Sequence, residues 1–159
     1  MHFSIMRPGQ EDAVINIVKE AFDESVASDY TQEGVEEFYK YANKSSLAER
    51  SKADTFTIIA YQEQQAVGII EIKEYCHISM FFVKPEYQKR GYGKALFNEA
   101  LSIISAKKID TGKLTVNSSL NAVPSYKRLG FKIKAKEQCY NGIRFIPMEL
   151  IIKKFPGIP

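Results

Sequence analysis

The chain has 159 residues, 45% of them hydrophobic and 26% charged, and this length and composition predict one soluble globular domain over residues 1–159. Its net charge of +3 is too small to argue for binding to nucleic acid. No apolar run approaches the ~20 residues of a membrane helix, so no membrane partner is expected. The two cysteines form neither a disulfide framework nor a metal-binding set.

The N-terminal half is predicted to hold two helices and four strands. Its start, MHFSIMRPGQ, lacks the charged head and apolar block of a secretory signal, so we expect a cytoplasmic protein. Residues 2–7 alternate as a strand, and apolar residues at three- and four-residue steps predict a helix over residues 10–27. A more polar helix is predicted over residues 31–50. Three strands rich in β-branched and aromatic residues are predicted next, at residues 54–61, 66–75 and 77–83.

The C-terminal half continues with a helix, a strand, a shorter helix and two strands. The first helix follows a glycine-containing turn and carries Leu96, Ala100 and Ile103 on one face. Asp110-Thr111-Gly112 is predicted to turn the chain into a strand. That strand, the shorter helix and two strands joined by the hairpin signal Asn141-Gly142 are predicted at residues 113–118, 122–129, 131–140 and 143–152. This order predicts an α/β fold whose mixed sheet has about seven strands flanked by about four helices.

The segment FFVKPEYQKRGYGKALF, residues 81–97, places two glycines between a strand and a helix. The first amides of a helix lack internal partners, and the helix dipole adds partial positive charge there. Gly91 and Gly93 have no β-carbon, so an anion can approach the backbone closely. Lys89, Arg90 and Lys94 add positive charge. The sequence therefore predicts a phosphate-binding loop.

Two common phosphate-binding motifs do not fit this loop. The P-loop requires a glycine and a Ser or Thr at the positions that hold Gln88 and Ala95 here. The dinucleotide-binding loop requires a small residue where Leu96 stands, and an acidic residue at the end of the next strand, whereas Asp110 precedes that strand. Both motifs are therefore excluded.

The pattern that fits is Gln/Arg-x-x-Gly-x-Gly/Ala, which occurs as Gln88-Lys89-Arg90-Gly91-Tyr92-Gly93. Here the chain resembles the GNAT superfamily of acetyl-CoA-dependent N-acetyltransferases. NAVPSYKRLGF, residues 121–131, resembles a later motif of that family, in which a short helix carries a tyrosine before a Gly-Phe turn. The order of elements matches the family over nearly the whole chain, so the resemblance implies the GNAT fold.

The resemblance also implies how acetyl-CoA binds. The glycine loop is expected to hold the pyrophosphate, and the main chain at the end of the preceding strand to pair with the pantetheine arm. Asn117 and Ser118 could bind pantetheine or order water, or simply cap the following turn. The residues expected to bind the cofactor are Phe82, Val83, Gln88, Lys89, Arg90, Gly91, Tyr92, Gly93, Lys94, Asn117 and Ser118.

The implied chemistry is direct attack of a neutral primary amine on the thioester, without a metal. A backbone amide near Phe82 is expected to polarise the carbonyl. Tyr126 is the candidate for stabilising the leaving sulfur by a hydrogen bond, since full proton donation from a phenol to a thiolate is uphill by about 2 kcal/mol; it could instead only pack beneath the short helix.

The general base stays open at the level of sequence. The fourth strand contains no carboxylate. His77 titrates near the required pH and is expected to share a strand face with Ser79 and Phe81. Glu71 and Glu74 on the preceding strand are the alternatives, and a water chain acting on a partly neutral amine would require none of them.

The acceptor also stays open. In this family the first two helices line the acceptor cleft, and here they carry the aromatic residues Tyr30, Phe38, Tyr39 and Tyr41 and the acidic residues Glu33, Glu36 and Glu37. The acidic residues fit a polycationic acceptor or a solvated helix face equally well. Two other functions are compatible with the sequence, namely a non-catalytic acyl-CoA sensor on the same fold and an interaction module whose basic loop binds other phosphates. A homodimer is common in the family but is not readable here.

Overall fold

The computed structural model describes residues 1–107 and 112–152, which form eight strands and five helices. The strands are β1 (His2–Ile5), β2 (Thr55–Gln62), β3 (Gln65–Lys73), β4 (His77–Val83), β5 (Lys113–Ser118), β6 (Lys132–Ile133), β7 (Gln138–Tyr140) and β8 (Ile143–Ile151). The helices are α1 (Glu11–Ser25), α2 (Gln32–Tyr41), α3 (Lys44–Arg50), α4 (Tyr92–Ala106) and α5 (Val123–Arg128). None of the described helices is long and apolar enough to cross a membrane.

Two predicted elements are each divided in the structure. The helix expected over residues 31–50 is α2 and α3, because Asn43 caps a new helix by accepting a hydrogen bond from the Ser46 amide at 2.9 Å. The strand expected over residues 131–140 is the two short strands β6 and β7, which both pair with β8. Residues 110 and 111 of the predicted turn lie outside the described residues.

The sheet is mixed, as the sequence predicts, and runs in the order β1-β2-β3-β4-β5-β8-β6. All described neighbours are antiparallel except β4 and β5, which are parallel and pair only at His77–Thr115 and Ile78–Val116. Beyond Ile78 the two strands separate, and β5 continues along β8 to Ser118. The result is a gap in the middle of the sheet, beside the second half of β4.

Helices cover both faces of this sheet. On one face α4 packs through Leu96, Phe97 and Ala100, which lie in a core that also contains Ile70 and Ile72 of β3. On the other face α1 and α3 pack over Ile59 of β2, Ile69 of β3 and Met80 of β4, in a core that includes Val14, Ile17, Val18 and Leu47. Full burial of each such side chain stabilises the fold by about 1.5–3 kcal/mol relative to exposure.

The hairpin between β7 and β8 docks on the start of α2. Gly34 and Gly142 meet there with no room for a side chain, because a β-carbon on Gly34 would overlap the Gly142 carbonyl. The Thr31 amide donates to the Gly142 carbonyl at 3.4 Å, and the Thr31 hydroxyl caps α2 by accepting from the Gly34 amide at 3.1 Å. The hairpin and the start of α2 are therefore fixed against each other.

We expect Gly34→Ala to lower the free energy of unfolding by about 1–3 kcal/mol, because the added methyl group meets backbone that cannot rotate away. Urea denaturation measures the change, with Glu33→Ala as the control for an alanine on the exposed side of the same helix. Helix propensity alone favours alanine over glycine by about 1 kcal/mol. A more stable Gly34→Ala protein would therefore contradict the close contact.

Candidate active site

The glycine loop before α4 presents main-chain amides that have no acceptor among the residues the structure describes. Gly91 adopts a left-handed conformation (φ 88°) as the N-cap of α4, and Lys89 is also left-handed (φ 62°). None of the amides of residues 89–94 donates a backbone hydrogen bond to a described residue, and the first amide to do so is that of Ala95, which donates to the Gly91 carbonyl at 3.1 Å. The loop is therefore a cluster of free donors at the positive end of a 15-residue helix.

The surroundings of the loop are open and positively charged. A β-carbon on Gly91 would meet no atom within 4 Å, and the side chains of Lys89, Arg90 and Lys94 are exposed. The Arg90 guanidinium lies 5.4 Å from the ring centre of Tyr87. This arrangement leaves room for an anion directly against the main chain.

Two other predicted loop residues are held by the protein. Gln88 donates from Nε2 to the Val83 carbonyl at 3.0 Å and so links the loop to the end of β4. The Tyr92 side chain is buried in the core under α4, so only its amide is available to a ligand. Gly93 lies over Phe81, where a β-carbon would make an ordinary contact at 3.8 Å.

A bulge in β4 determines which main-chain groups face the gap. Glu71 of β3 is opposite Met80, but its neighbour Ile72 is opposite Ile78, so Ser79 is an extra residue in β4. After the bulge, the Lys84 amide donates to the Val67 carbonyl at 2.8 Å. Alternation along an antiparallel pair then directs the main chain of Phe82 toward β3, and that of Phe81 and Val83 toward the gap.

The bulge also changes which side chains share a face. Ser79 reaches Glu71 on the face covered by α1, whereas Phe81 packs with α4 and Tyr126 on the other face. The prediction that His77, Ser79 and Phe81 share a face is therefore wrong for Phe81, because the extra residue shifts the alternation by one.

Tyr126 of α5 stands across the gap from β4. Its ring centre lies 6.1 Å from that of Phe81 and 5.5 Å from that of Phe131. Burial raises the pKa of the Tyr126 phenol well above its ordinary value of 10.0. The phenol is therefore neutral throughout the physiological pH range and can donate a hydrogen bond.

His77 lies at the closed end of the gap, where β4 and β5 are still paired. Its Nδ1 is 2.8 Å from the Thr115 hydroxyl oxygen, and that hydroxyl donates to the Cys76 carbonyl at 3.3 Å. This chain of bonds assigns the proton to Nδ1 and leaves the lone pair of Nε2 free. Burial, together with the nearby charge of Lys73, lowers the pKa of His77 below 6.5, so the imidazole is neutral at pH 7.

The two glutamates considered as bases have different surroundings. Glu71 is fully buried, and its carboxylate accepts from the Tyr41 hydroxyl at 2.8 Å, the Ser79 hydroxyl at 2.5 Å and Arg50 Nε at 2.9 Å. Glu74 is exposed in the turn before β4, with a left-handed backbone (φ 54°). The spacing of the sequence gives no sign that Arg50, at the end of α3, would meet Glu71.

The polar residues at the end of β5 separate into one exposed and one buried side chain. Asn117 is exposed beside the gap. Ser118 is buried, and its hydroxyl donates to the Ser119 carbonyl at 2.7 Å. The Ser118 side chain thus stabilises the turn, whereas the exposed Asn117 side chain can contact a ligand.

The helix side of the gap carries an aromatic cluster centred on Phe22, which the sequence indicated only as part of an apolar helix face. The ring of Phe22 stacks on Phe38 at 3.9 Å and contacts Tyr30 and Tyr39 edge-on at 5.4 Å each. Phe38 in turn lies 6.1 Å from Phe82 of β4. Three of the four predicted aromatic residues therefore form one wall, and the fourth, Tyr41, bonds to Glu71 instead.

Acidic groups stand at the rim of this aromatic wall. Asp29 accepts a hydrogen bond from Asn121 Nδ2 at 3.2 Å, which joins the segment after α1 to the segment after β5. Burial, aided by the charge of Asp29, raises the pKa of Tyr30 to about 12. Glu33 and Glu36 are exposed on α2, and Glu37 pairs with Lys40 at 3.4 Å. Within residues 1–107 and 112–152 no three His, Cys, Asp or Glu side chains gather as metal ligands.

Comparison with known proteins identifies the family. A family profile described as an acetyltransferase (GNAT) domain matches residues 26–152. The spermidine N(1)-acetyltransferase of Thermoplasma acidophilum is 27% identical over 133 residues, which cover 77% of this chain and 83% of that protein. An uncharacterised N-acetyltransferase of Escherichia coli, YafP, is 36% identical over 74 residues, which cover 46% of this chain and 44% of that protein.

Solved structures share the fold. A GCN5-related N-acetyltransferase from Rhodopseudomonas palustris superposes with a TM-score of 0.81 at 23% identity, over 95% of each chain. The PaiA N-acetyltransferase of T. acidophilum, solved in complex with coenzyme A, gives a TM-score of 0.78 at 22% identity, over 96% of this chain and 100% of that one. The chain therefore belongs to the GNAT acetyltransferase family and is an acyltransferase, which confirms the resemblance drawn from residues 88–93 and 121–131.

Proposed function

We propose that this protein transfers the acetyl group of acetyl-CoA to a primary amine by direct attack of the amine on the thioester. The observation that carries the proposal is the set of free amides at residues 89–94, which open onto space at the positive end of α4 and beside the gap. These donors fit a diphosphate, and the exposed Lys89, Arg90 and Lys94 add charge of the matching sign. PaiA of T. acidophilum, which shares the fold, was solved with coenzyme A.

In this proposal the gap accepts the pantetheine arm as an additional strand. The main chain of Phe81 and Val83 faces the gap and can pair with its amides, while the Phe82 side chain forms part of the acceptor wall. One Val83 acceptor site is already used by Gln88, which leaves the second lone pair of that carbonyl for the ligand. Asn117 on the facing strand is the side chain placed to bond the arm from the other side.

The transfer requires one bond to form and one to break. The amine nitrogen attacks the carbonyl carbon, the C–N bond forms, and the C–S bond breaks with its electron pair leaving on sulfur. A gap-facing amide of β4 stabilises the carbonyl oxygen during the attack. Tyr126 donates a hydrogen bond to the sulfur, and it keeps its proton because burial has raised its pKa far above that of a thiol.

The amine must also lose a proton, and we propose His77 as its acceptor, through water. Nε2 of His77 has a free lone pair, and the ring shares its face with Ser79, about 7 Å along β4. Glu71 is less suited to this role, because three donors already occupy its carboxylate.

We expect the acidic limb of the kcat/KM profile to lie below pH 6.5, because burial and Lys73 keep His77 neutral until the pH falls through its lowered pKa. The limb should disappear in His77→Gln, whose side chain can still bond to Thr115. The profile is measured with saturating acetyl-CoA. A limb that persists in His77→Gln would mean that the acceptor amine supplies it and that no protein base titrates.

For the acceptor, we propose an aliphatic polyamine. Tyr30 and Phe38, which pack on the buried Phe22, are half-buried and suit a methylene chain. Asp29, the chain neighbour of Tyr30, suits a second ammonium group. The T. acidophilum relative is described as a spermidine N(1)-acetyltransferase. Exposed Glu33 and Glu36 add negative charge on the same helix side.

The deciding experiment is thiol release from acetyl-CoA across a panel of polyamines, simple monoamines, aminoglycosides and peptide N-termini. Polyamines should give the highest kcat/KM, because among these amines they combine a methylene chain with a second ammonium group placed to meet Asp29. A preference for another amine would overturn the acceptor assignment but keep the transfer reaction. Coenzyme A protection against heat with no turnover on any amine would instead favour a non-catalytic acyl-CoA sensor.

A further inference from the structure

We infer that Arg50, Glu71 and Ser79, joined by Tyr41, form a positioning unit that holds the bulge of β4 and so sets the geometry of the gap. The inference rests on the proposed acetyl transfer, which it deepens. It assigns Glu71 a role other than that of a base, and it assigns roles to Tyr41, Arg50 and Ser79.

The first step is the location of the unit. Ser79 is the extra residue of β4, directly after the last β4–β5 pair, Ile78–Val116. Its hydroxyl donates to Glu71 Oε1 at 2.5 Å, and its neighbour Met80 packs on the same face of the sheet. Two successive side chains on one face are what a bulge requires. The hydroxyl–carboxylate bond thus stands at the point where β4 leaves β5.

The second step is the attachment of the unit to the helices on the acceptor side. The Tyr41 hydroxyl, at the end of α2, donates to Glu71 Oε1 at 2.8 Å. Arg50, at the end of α3, donates from Nε to Glu71 Oε2 at 2.9 Å and from Nη1 to the Tyr41 carbonyl at 2.6 Å. Its guanidinium also stacks over the Tyr41 ring at 3.6 Å. The same carboxylate therefore binds the bulge and the ends of two helices.

The third step is the cost of the arrangement. Glu71 has no exposed surface, and a buried ion pair contributes little net stability compared with apolar residues of the same volume. Among the described residues, Arg50 Nη2 and the Thr57 hydroxyl are buried with no hydrogen-bond partner, and Thr57 is the cross-strand neighbour of Glu71. Burial of these groups is unfavourable for stability alone. These buried polar groups nevertheless lie together beneath the bulge, and a role in fixing the geometry of β4 explains why.

The consequence concerns the main chain of β4. The alternation of β4 after Ser79 determines that the main-chain groups of Phe81 and Val83, and not those of Phe82, face the gap. A bulge that relaxed would move these amides relative to the bound thioester, and a misplacement of about 1 Å can cost on the order of 100-fold in rate. Binding of coenzyme A through residues 89–94 would be unaffected, because those amides belong to the glycine loop and the first turn of α4 and not to β4.

The test removes the two hydroxyls that reach Glu71 Oε1. We expect Ser79→Ala and Tyr41→Phe each to lower kcat about 10- to 100-fold, with the KM for acetyl-CoA unchanged within about twofold. Because both act through one carboxylate, the double variant should lose less than the product of the two single losses. A merely structural role would lower only the melting temperature, so unchanged kcat well below that temperature would overturn the inference.

Glu71→Gln separates positioning from base catalysis. A positioning role predicts lower kcat with the acidic limb of the pH profile retained, whereas loss of that limb would show that Glu71 accepts a proton in the reaction and would overturn the inference. If Glu71→Gln does not fold, the kinetics of Ser79→Ala and Tyr41→Phe decide between the two roles. Should the wild type acetylate no amine, the proposed function fails, but NMR still tests the inference, because Tyr41→Phe must shift the amide signals of Met80 and Phe81, and unchanged signals would overturn it.

Discussion

Gly91→Glu is expected to weaken coenzyme A binding at least about 100-fold while leaving the fold intact. The substitution places a carboxylate in the open space that the free amides of residues 89–94 face. At about 4 Å, two like charges repel by roughly 1 kcal/mol in water and by roughly 4 kcal/mol near a protein surface, and a diphosphate carries more than one charge. Each 1.4 kcal/mol is a factor of about ten in affinity. Isothermal titration with coenzyme A measures the loss.

Gly112→Glu is the matched control for this variant. Gly112 is also left-handed (φ 66°), and a β-carbon there would also meet no atom within 4 Å, but it lies directly before β5 and follows the C-terminal end of α4, whereas the glycine loop precedes the N-terminus of that helix. Both variants should lose about 1–2 kcal/mol of stability from the backbone conformation, and only Gly91→Glu should lose coenzyme A. If both bind coenzyme A as tightly as the wild type, the ligand does not use this loop.

The donor side of the site was predictable because it depends on local, main-chain features. A strand, two glycines and a helix start within residues 81–97 are sufficient to predict free amides, and the structure places them at the N-terminus of α4 as expected. The single parallel pair of strands follows from the order of elements in the same way. Such features can be predicted without knowing which residues far apart in the chain come into contact.

The bulge of β4 and its consequences, which the sequence did not predict, depend on distant contacts. Nothing near Ser79 signals a bulge, and the carboxylate that Ser79 binds belongs to Glu71, eight residues earlier, which also binds Arg50 at the end of α3. The sequence leads to an expected pairing of pantetheine with the main chain of Phe82 and Val83, whereas the register after the bulge leads us to propose Phe81 and Val83. The division of the helix over residues 31–50 could have been found from Asn43, a good N-cap residue followed by two serines.

This contrast explains why the donor is easier to infer than the acceptor. In the proposed complex the acetyl donor is bound by backbone amides, whose positions are determined by strand and helix geometry. The proposed acceptor lies against side chains of α2 and β4, such as Phe38 and Phe82, whose arrangement exists only after the sheet and helices have packed around the buried Phe22. A change of one of these rings alters the acceptor wall without touching any feature that identifies the family.

Tyr126→Phe is expected to lower kcat about 10- to 100-fold and to leave coenzyme A affinity unchanged within about twofold. The substitution removes only the hydroxyl, and the ring contacts with Phe81 and Phe131 remain. Because burial raises the phenol pKa above 10.0, the wild type should also show no loss of turnover from ionisation of Tyr126 below about pH 10. Steady-state kinetics at saturating acetyl-CoA measure both effects.

Tyr75→Phe is the matched control, because Tyr75 packs against the same core and lies away from the gap, beside Phe56. It should retain wild-type kcat. In the proposed mechanism the hydroxyl of Tyr126 binds the leaving sulfur, so its removal should matter less when the leaving thiolate is more stable. An acetyl thioester of a more acidic thiol should therefore show a smaller difference between Tyr126→Phe and the wild type than acetyl-CoA does. An equal loss with both donors would assign Tyr126 to packing of α5 against β4 and leave the sulfur to be stabilised by solvent or main chain.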